Sequence, residues 1–192
     1  MGQSSTTPAR RDAGEPAYRL ELHTDVYEIR VYEPYLVAEV IVAGPAESAS
    51  SEGFRLLAGY IFGGNGGSHK LAMTAPVTQS PLALSTTLPM MQSADAGGFQ
   101  VRFVLPPGYS LATLPVPNDS RVKLREIEVQ RVAVRRYSGR WTEANYAEHV
   151  ATLRASLTAA GLTAHGAPIL ARYNAPYVLP FLRRNEVWLS LA

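Results

Sequence analysis

The side chains able to do chemistry in this 192-residue chain are few and scattered. It has no cysteine, which excludes thiolate metal sites, Fe–S clusters, disulfides and cysteine-ligated haem. The four histidines, His23, His69, His149 and His165, include no pair at the spacing of a metal site. Glu186 and Trp188 alternate onto one face of the last expected strand. A carboxylate and an indole so placed could line a cavity for a flat or cationic ligand, or supply a general base. The simpler expectation pairs Glu186 with Arg172 or Arg184 as a structural ion pair. The chain shows no nucleophile elbow, Ser/His/Asp set or phosphate loop, and a lone carboxylate is thin support for catalysis. A binding role is therefore expected first, with an enzyme acting on a ligand in the cavity as the lesser alternative.

Charge narrows the choice further. The net charge of +2 is the difference between 18 basic and 16 acidic side chains. The basic pairs Arg135-Arg136 and Arg183-Arg184 stand beside expected strands, and no basic stripe of the kind nucleic acid requires is present. Residues 1–17 lack an apolar core segment and no later stretch has the length of a membrane span. They are read as a disordered tail, with no membrane insertion and a cytoplasmic location expected.

Stepping along the chain, residues 18–192 read as one α+β domain, since period-two alternation alternates with two stretches of helical character. Tyr27, Ile29 and Val31 share one strand face, with Glu28, Arg30 and Tyr32 on the other. Residues 35–43 form a second strand and 47–62 a helix, closed by Gly63-Gly64-Asn65-Gly66-Gly67. Strands near 70–79 and 99–105 follow, separated by an irregular insertion, 80–98. The segment 27–44, YEIRVYEPYLVAEVIVAG, aligns without a gap on 122–139, VKLREIEVQRVAVRRYSG, matching Arg30 to Arg125, Glu33 to Glu128 and Gly44 to Gly139. A second helix, 142–160, and strands near 168–174 and 185–191 complete the parallel. These observations predict two ββαββ halves, about 18–105 and 121–192, related by a pseudo-twofold axis. Their strands would curl into a distorted, antiparallel-rich, eight-stranded barrel with one helix packed on each half.

Four segments in order carry a family resemblance: Tyr27-Glu28-Ile29-Arg30 with Tyr32, Lys70-Leu71-Ala72-Met73-Thr74-Ala75-Pro76-Val77, Leu114-Pro115-Val116-Pro117, and Arg183-Arg184-Asn185-Glu186-Val187-Trp188-Leu189. Together they resemble the SOUL/haem-binding-protein family. The resemblance implies the same barrel and non-covalent binding of haem or a related tetrapyrrole, as a carrier, buffer or sensor. It also implies a groove between the first helix and the loop before the last strand. A macrocycle needs open apolar area with cations at its rim for the propionates. On the helix, Phe54, Leu57, Ala58 and Ile61 share the sheet-facing stripe, while Leu56 and Tyr60 form a second stripe that serves either the ligand or packing under the 80–98 insertion. The expected groove residues are thus Arg55, Leu56, Tyr60, Tyr173, Tyr177, Val178 and Arg183, with Arg184 as an alternative cation. His69 and Met73, at the Lys70–Val77 motif, are the candidate axial ligands, weighed against an exposed loop histidine and a core methionine. Some family members carry a histidine where this chain has Val31, which favours grip on the macrocycle face over iron ligation. The duplicated barrel also resembles the effector-binding domains of certain transcription regulators, so a module for another flat ligand or a protein partner, built on Glu186 and Trp188, stands as the alternative.

Overall fold

The computed structural model describes residues 14–82, 98–175 and 177–192. Among the described residues nine strands form a single antiparallel sheet: β1 (Tyr18–His23), β2 (Glu28–Tyr32), β3 (Tyr35–Ala43), β4 (Val77–Pro81), β5 (Gly98–Val104), β6 (Lys123–Ile127), β7 (Gln130–Tyr137), β8 (Ala164–Arg172) and β9 (Asn185–Leu191). Two helices, α1 (Ala46–Ile61) and α2 (Glu143–Ala159), follow β3 and β7. Most of the expected tail, and most of the 80–98 insertion, lie outside the described residues. Residues 14–17 are ordered against the domain, because Arg184 donates to both oxygens of Glu15 at 2.7 and 3.2 Å.

The strand order is β1-β2-β7-β9-β8-β4-β5-β3-β6. Without β1, it reads the same in both directions once β2 is exchanged with β6, β3 with β7, β4 with β8 and β5 with β9. The registers obey the same exchange: Arg30 opposes Val132 on β7, and its counterpart Arg125 opposes Val37 on β3. The expected duplication is therefore present in the ladder, and its axis passes between β4 and β8. Each half also lends its first strand to the other half, since β2 pairs with β7 and β6 pairs with β3.

This order forces curvature. β2 and β3 are joined by Glu33-Pro34 alone yet lie six strand positions apart. Six spacings in a flat sheet would be roughly 28 Å, whereas the three peptide steps from Tyr32 to Tyr35 reach at most about 11 Å. The sheet must curl until its two ends meet, and the Gln130 side chain donates to the Tyr35 hydroxyl at 2.7 Å across that seam. The result is barrel-like, but among the described residues β1 and β6 each have a hydrogen-bonded neighbour on one side only. The ninth strand, β1, was not expected; it covers the outer edge of β2.

Both helices lie on one face. An antiparallel pair has its local twofold axis perpendicular to the sheet, so an axis between β4 and β8 places α1 and α2 on the same side. Accordingly, Leu57 and Ile61 of α1 share a buried cluster with Ala38, Val40 and Phe103, and Leu153 and Leu157 of α2 share another with Ala133, Val187 and Leu189. Gly53 lets α1 come down onto β5, because a Cβ there would stand 2.7 Å from a Val101 methyl group. Thr142 caps α2 by accepting from the Asn145 backbone N–H. Two boundaries differ from expectation. The Lys70–Val77 motif is mostly irregular and β4 begins only at Val77, and β8 starts at Ala164 rather than 168.

Candidate functional site

Alternation along β9 sends Val187 and Leu189 toward α2 and sends Glu186 and Trp188 to the opposite, concave face. There Glu186 is fully buried and surrounded by donors. Arg30 Nη1 reaches Oε2 at 3.1 Å, Arg184 Nε reaches Oε1 at 3.0 Å, and the Tyr173 hydroxyl and Trp188 Nε1 both donate to Oε2 at 2.8 Å. Burial alone would raise the Glu186 pKa, but Arg30 and Arg184, with the Trp188 and Tyr173 hydrogen bonds, more than offset it and hold the carboxyl below its ordinary range. Arg30 is itself buried, spans to Glu28 through Nε at 2.7 Å, and lies 4.6 Å over the Tyr18 ring. Tyr32 stacks on Trp188 at 5.0 Å and accepts from Arg30.

This network bears on the readings open for Glu186. A general base needs a free lone pair and a path to its substrate; Glu186 has neither, with four donors on its two oxygens and Tyr18, Tyr32 and Trp188 packed around it. The ion pair to Arg184 is present as expected. Arg172 is not a partner, because it is adjacent to Tyr173 on the chain and so projects from the opposite face. The partner missed from sequence is Arg30, two strands away in the order β2-β7-β9 and 156 positions away in the chain.

The helix-side face holds the other candidates. Between β8 and β9 the chain forms a loop that ends in a short 3-10 turn, Pro180–Leu182. It is pinned by Gly139 N–H donating to the Pro180 carbonyl at 2.9 Å and by Arg183 Nε donating to the Val178 carbonyl at 2.7 Å. Tyr177 is 88% exposed, Leu179 55%, Phe181 70% and Leu182 63%. At the base of the loop, Arg172 Nη1 donates to the Ser50 hydroxyl of α1 at 2.7 Å. Arg172 and Arg183 both lie over the Trp141 ring, at 4.9 and 4.4 Å from its centroid, while Trp141 Nε1 donates to Asn185 at 2.7 Å. Phe54, one turn along α1 from Ser50, remains partly exposed on the same flank, edge-on to Phe103. Ser50 of α1 is thus linked through Arg172 and Trp141 to Arg183 and, through it, to Val178 of the loop.

Several expected groove residues lie elsewhere. Leu56 and Tyr60 are core residues of the α1 cluster, which also contains Leu114, and the Tyr60 hydroxyl donates to the Pro115 carbonyl at 3.0 Å. Their cover is therefore the 114–117 segment. Arg55 is exposed on the flank toward Asp119, whose carboxyl it helps to hold low, about 140° round the helix from Ser50. Tyr173 gives its hydroxyl to Glu186 and its ring to Arg184, 3.7 Å above it. His69 is an exposed loop residue, as its structural reading had it. Met73 is half exposed instead of forming core. Both follow the C-terminal end of α1, where Leu71 N–H donates to the Ile61 carbonyl, whereas Arg172 meets α1 eleven residues earlier, about 16 Å along the axis. Among the described residues no three His, Asp or Glu side chains gather as a metal site, and no helix is long and apolar enough to cross a membrane.

A sequence model described as SOUL heme-binding protein matches residues 13–190, almost the whole domain. The chain belongs to the SOUL heme-binding protein family. Among its relatives, Heme-binding protein 1 of Mus musculus is 30% identical over 167 residues, covering 86% of this chain and 84% of the relative. Heme-binding protein 1 of Xenopus laevis is 29% identical over 163 residues, covering 84% and 82%. This SOUL-family chain also shares its fold with the EcmrR C-terminal domain, at a TM-score of 0.61 and 9% identity over 86% of this chain and 98% of that one. A hydrolase from Listeria innocua gives a TM-score of 0.58 at 14% identity over 89% and 94%. At such identities the likeness to these two concerns the fold alone.

Proposed function

We propose that the protein binds haem or a related tetrapyrrole non-covalently on the apolar flank between α1 and the 177–183 loop, as a carrier, buffer or sensor. Four large apolar side chains within six residues, Tyr177, Leu179, Phe181 and Leu182, are each more than half exposed, and this observation carries the reading. Single exposed apolar residues need no explanation, but a clustered set marks a binding surface. Its relatives named Heme-binding protein 1 supply the ligand class. The filled concave face supports a surface groove over an internal cavity, since Glu186 and Trp188 are packed and fully hydrogen-bonded. Iron ligation by His69 or Met73 is not part of the proposal, because neither stands beside the loop. The grip would come from the macrocycle face.

The test is a titration with haem followed at the Soret band. A saturable shift is expected, and the double variant Phe181→Ser, Leu182→Ser should bind at least about tenfold more weakly, given the roughly 1.5–3 kcal/mol that each buried apolar side chain contributes. Both positions are exposed, so thermal unfolding of the variant should match the parent. No spectral change at excess haem, or unchanged affinity in the folded double variant, overturns the reading.

A further inference from the structure

The two repeats carry different charge on the concave face. Arg30 has Arg125 as its counterpart, but the place of Glu28 is taken by Lys123. Because Val37 opposes Val104 as Val132 opposes Ser190, Gln100 stands where the first-repeat site has Glu186, and Arg102 where it has Trp188. One carboxylate is gained in return, Glu39, in the place of Val134. Ala38, Val40, Val101, Phe103 and Leu124 pack toward α1, so alternation turns Glu39, Arg102, Lys123 and Arg125 to the opposite, concave side. There Glu39 is flanked by Arg102 on β5 and Lys123 on β6. Three cations thus share one carboxylate, whereas Arg30 and Arg184 are matched by Glu186, Glu28 and Glu15.

The bonds already made leave donors in excess. Arg102 Nε and Arg125 Nε donate to the two oxygens of buried Glu39 at 2.7 and 2.9 Å. The Nη groups of both arginines make no hydrogen bond among the described residues, and the side chains stay 25% and 60% exposed. Tyr35 lies on the same face, and its hydroxyl accepts from Gln130 at 2.7 Å but donates to nothing among the described residues. Burial pushes its pKa up to about 12 while the Arg102 charge pulls the other way, so the hydroxyl keeps its proton at neutral pH and feels that guanidinium. Planar guanidinium forks and a phenolic O–H suit an oxyanion, and the surplus of two positive charges suits a doubly charged one. We propose that Arg102, Arg125 and the Tyr35 hydroxyl form a site for a small dianionic oxyanion, a phosphate group or a dicarboxylate. It lies on the opposite face of the sheet from the apolar loop and does not depend on the haem reading.

The test titrates the intact protein with inorganic phosphate, succinate and acetate at constant ionic strength and alkaline pH, where phosphate is a dianion, and follows NMR resonances. Phosphate or succinate should saturate, with shifts centred on Tyr35, Glu39, Arg102 and Arg125, and the tighter of the two names the group recognised. Acetate should bind at least about tenfold more weakly. Equal, non-saturating responses to all three anions, or shifts spread over the surface cations, overturn the assignment without altering the protein. Arg125→Gln, at the more exposed arginine, should weaken the tighter dianion about tenfold, and Tyr35→Phe by about threefold or more. The Soret titration with haem should be unchanged in both. The dianion should also raise the Tm of the parent and leave that of Arg125→Gln almost where it was. Undiminished dianion affinity in the two folded variants overturns the site. If Arg125→Gln does not fold, Tyr35→Phe and the three-anion comparison on the parent decide the matter.

Discussion

At the scale of single residues, Glu186→Gln keeps the side-chain shape and removes the charge that Arg30 and Arg184 share. Two guanidinium groups are then left facing a neutral amide, so the variant should lose about 3–5 kcal/mol in urea unfolding. The same residue sets a pH dependence. Its folded pKa lies below the ordinary value of 4.5, so the unfolded chain takes up the proton first. Its stabilisation is complete above that value and is lost as the pH falls through the lower folded pKa. An acid titration of stability should therefore be shallower below about pH 4.5 in Glu186→Gln than in the parent, and identical slopes would remove Glu186 from that role. The pairing of Glu186 with Arg184 was legible because residues two apart on a strand share a face. Arg30 was not, since only the β2-β7-β9 order brings it alongside. The fate of Arg172 was readable in principle from the alternation that separates it from Tyr173.

At the scale of the elements, the stop after α1 shows what composition reveals and what it hides. The glycine run predicted a turn, and Gly63 does adopt a positive φ of 114°. The residue that organises it is Asn65, almost wholly buried: its amide donates to the Tyr60 and His69 carbonyls at 2.8 Å each, and its oxygen accepts from the His69 N–H at 2.9 Å. Asn65→Ala should cost about 2–4 kcal/mol by stranding these backbone groups. Gly66→Ala, where a Cβ would meet nothing closer than 3.8 Å, should be within about 0.5 kcal/mol of neutral. Chemical denaturation of the two variants separates hydrogen bonding from the mere presence of a glycine-rich turn. Helical periodicity likewise revealed a second apolar stripe at Leu56 and Tyr60 but not its cover, because the 114–117 segment reaches them by tertiary packing with no local sequence signal.

At the scale of the whole molecule, the duplicated order of elements was legible because the aligned segments 27–44 and 122–139 preserve strand, turn and glycine positions together. The extra strand β1 has no counterpart in the second half and so left no repeat to find. Burial is uneven across the sheet: nearly all of β9 is buried, whereas β6 is exposed along most of its length. Amide hydrogen exchange should accordingly be slowest in β7, β8 and β9 and fastest in β6 and β1, the two strands with a single neighbour. Uniform protection across the sheet would contradict this gradient.

The reciprocal pairing of β2 with β7 and of β6 with β3 has a mechanical result. Each repeat holds the opening strand of the other, as two clasped hands do, so neither can close its own sheet alone. The link between them, residues 105–122, keeps the partners at high effective concentration and is not what binds them. A chain bearing one repeat would reach the same architecture only by trading strands with a second copy, and the present molecule carries out that trade within itself.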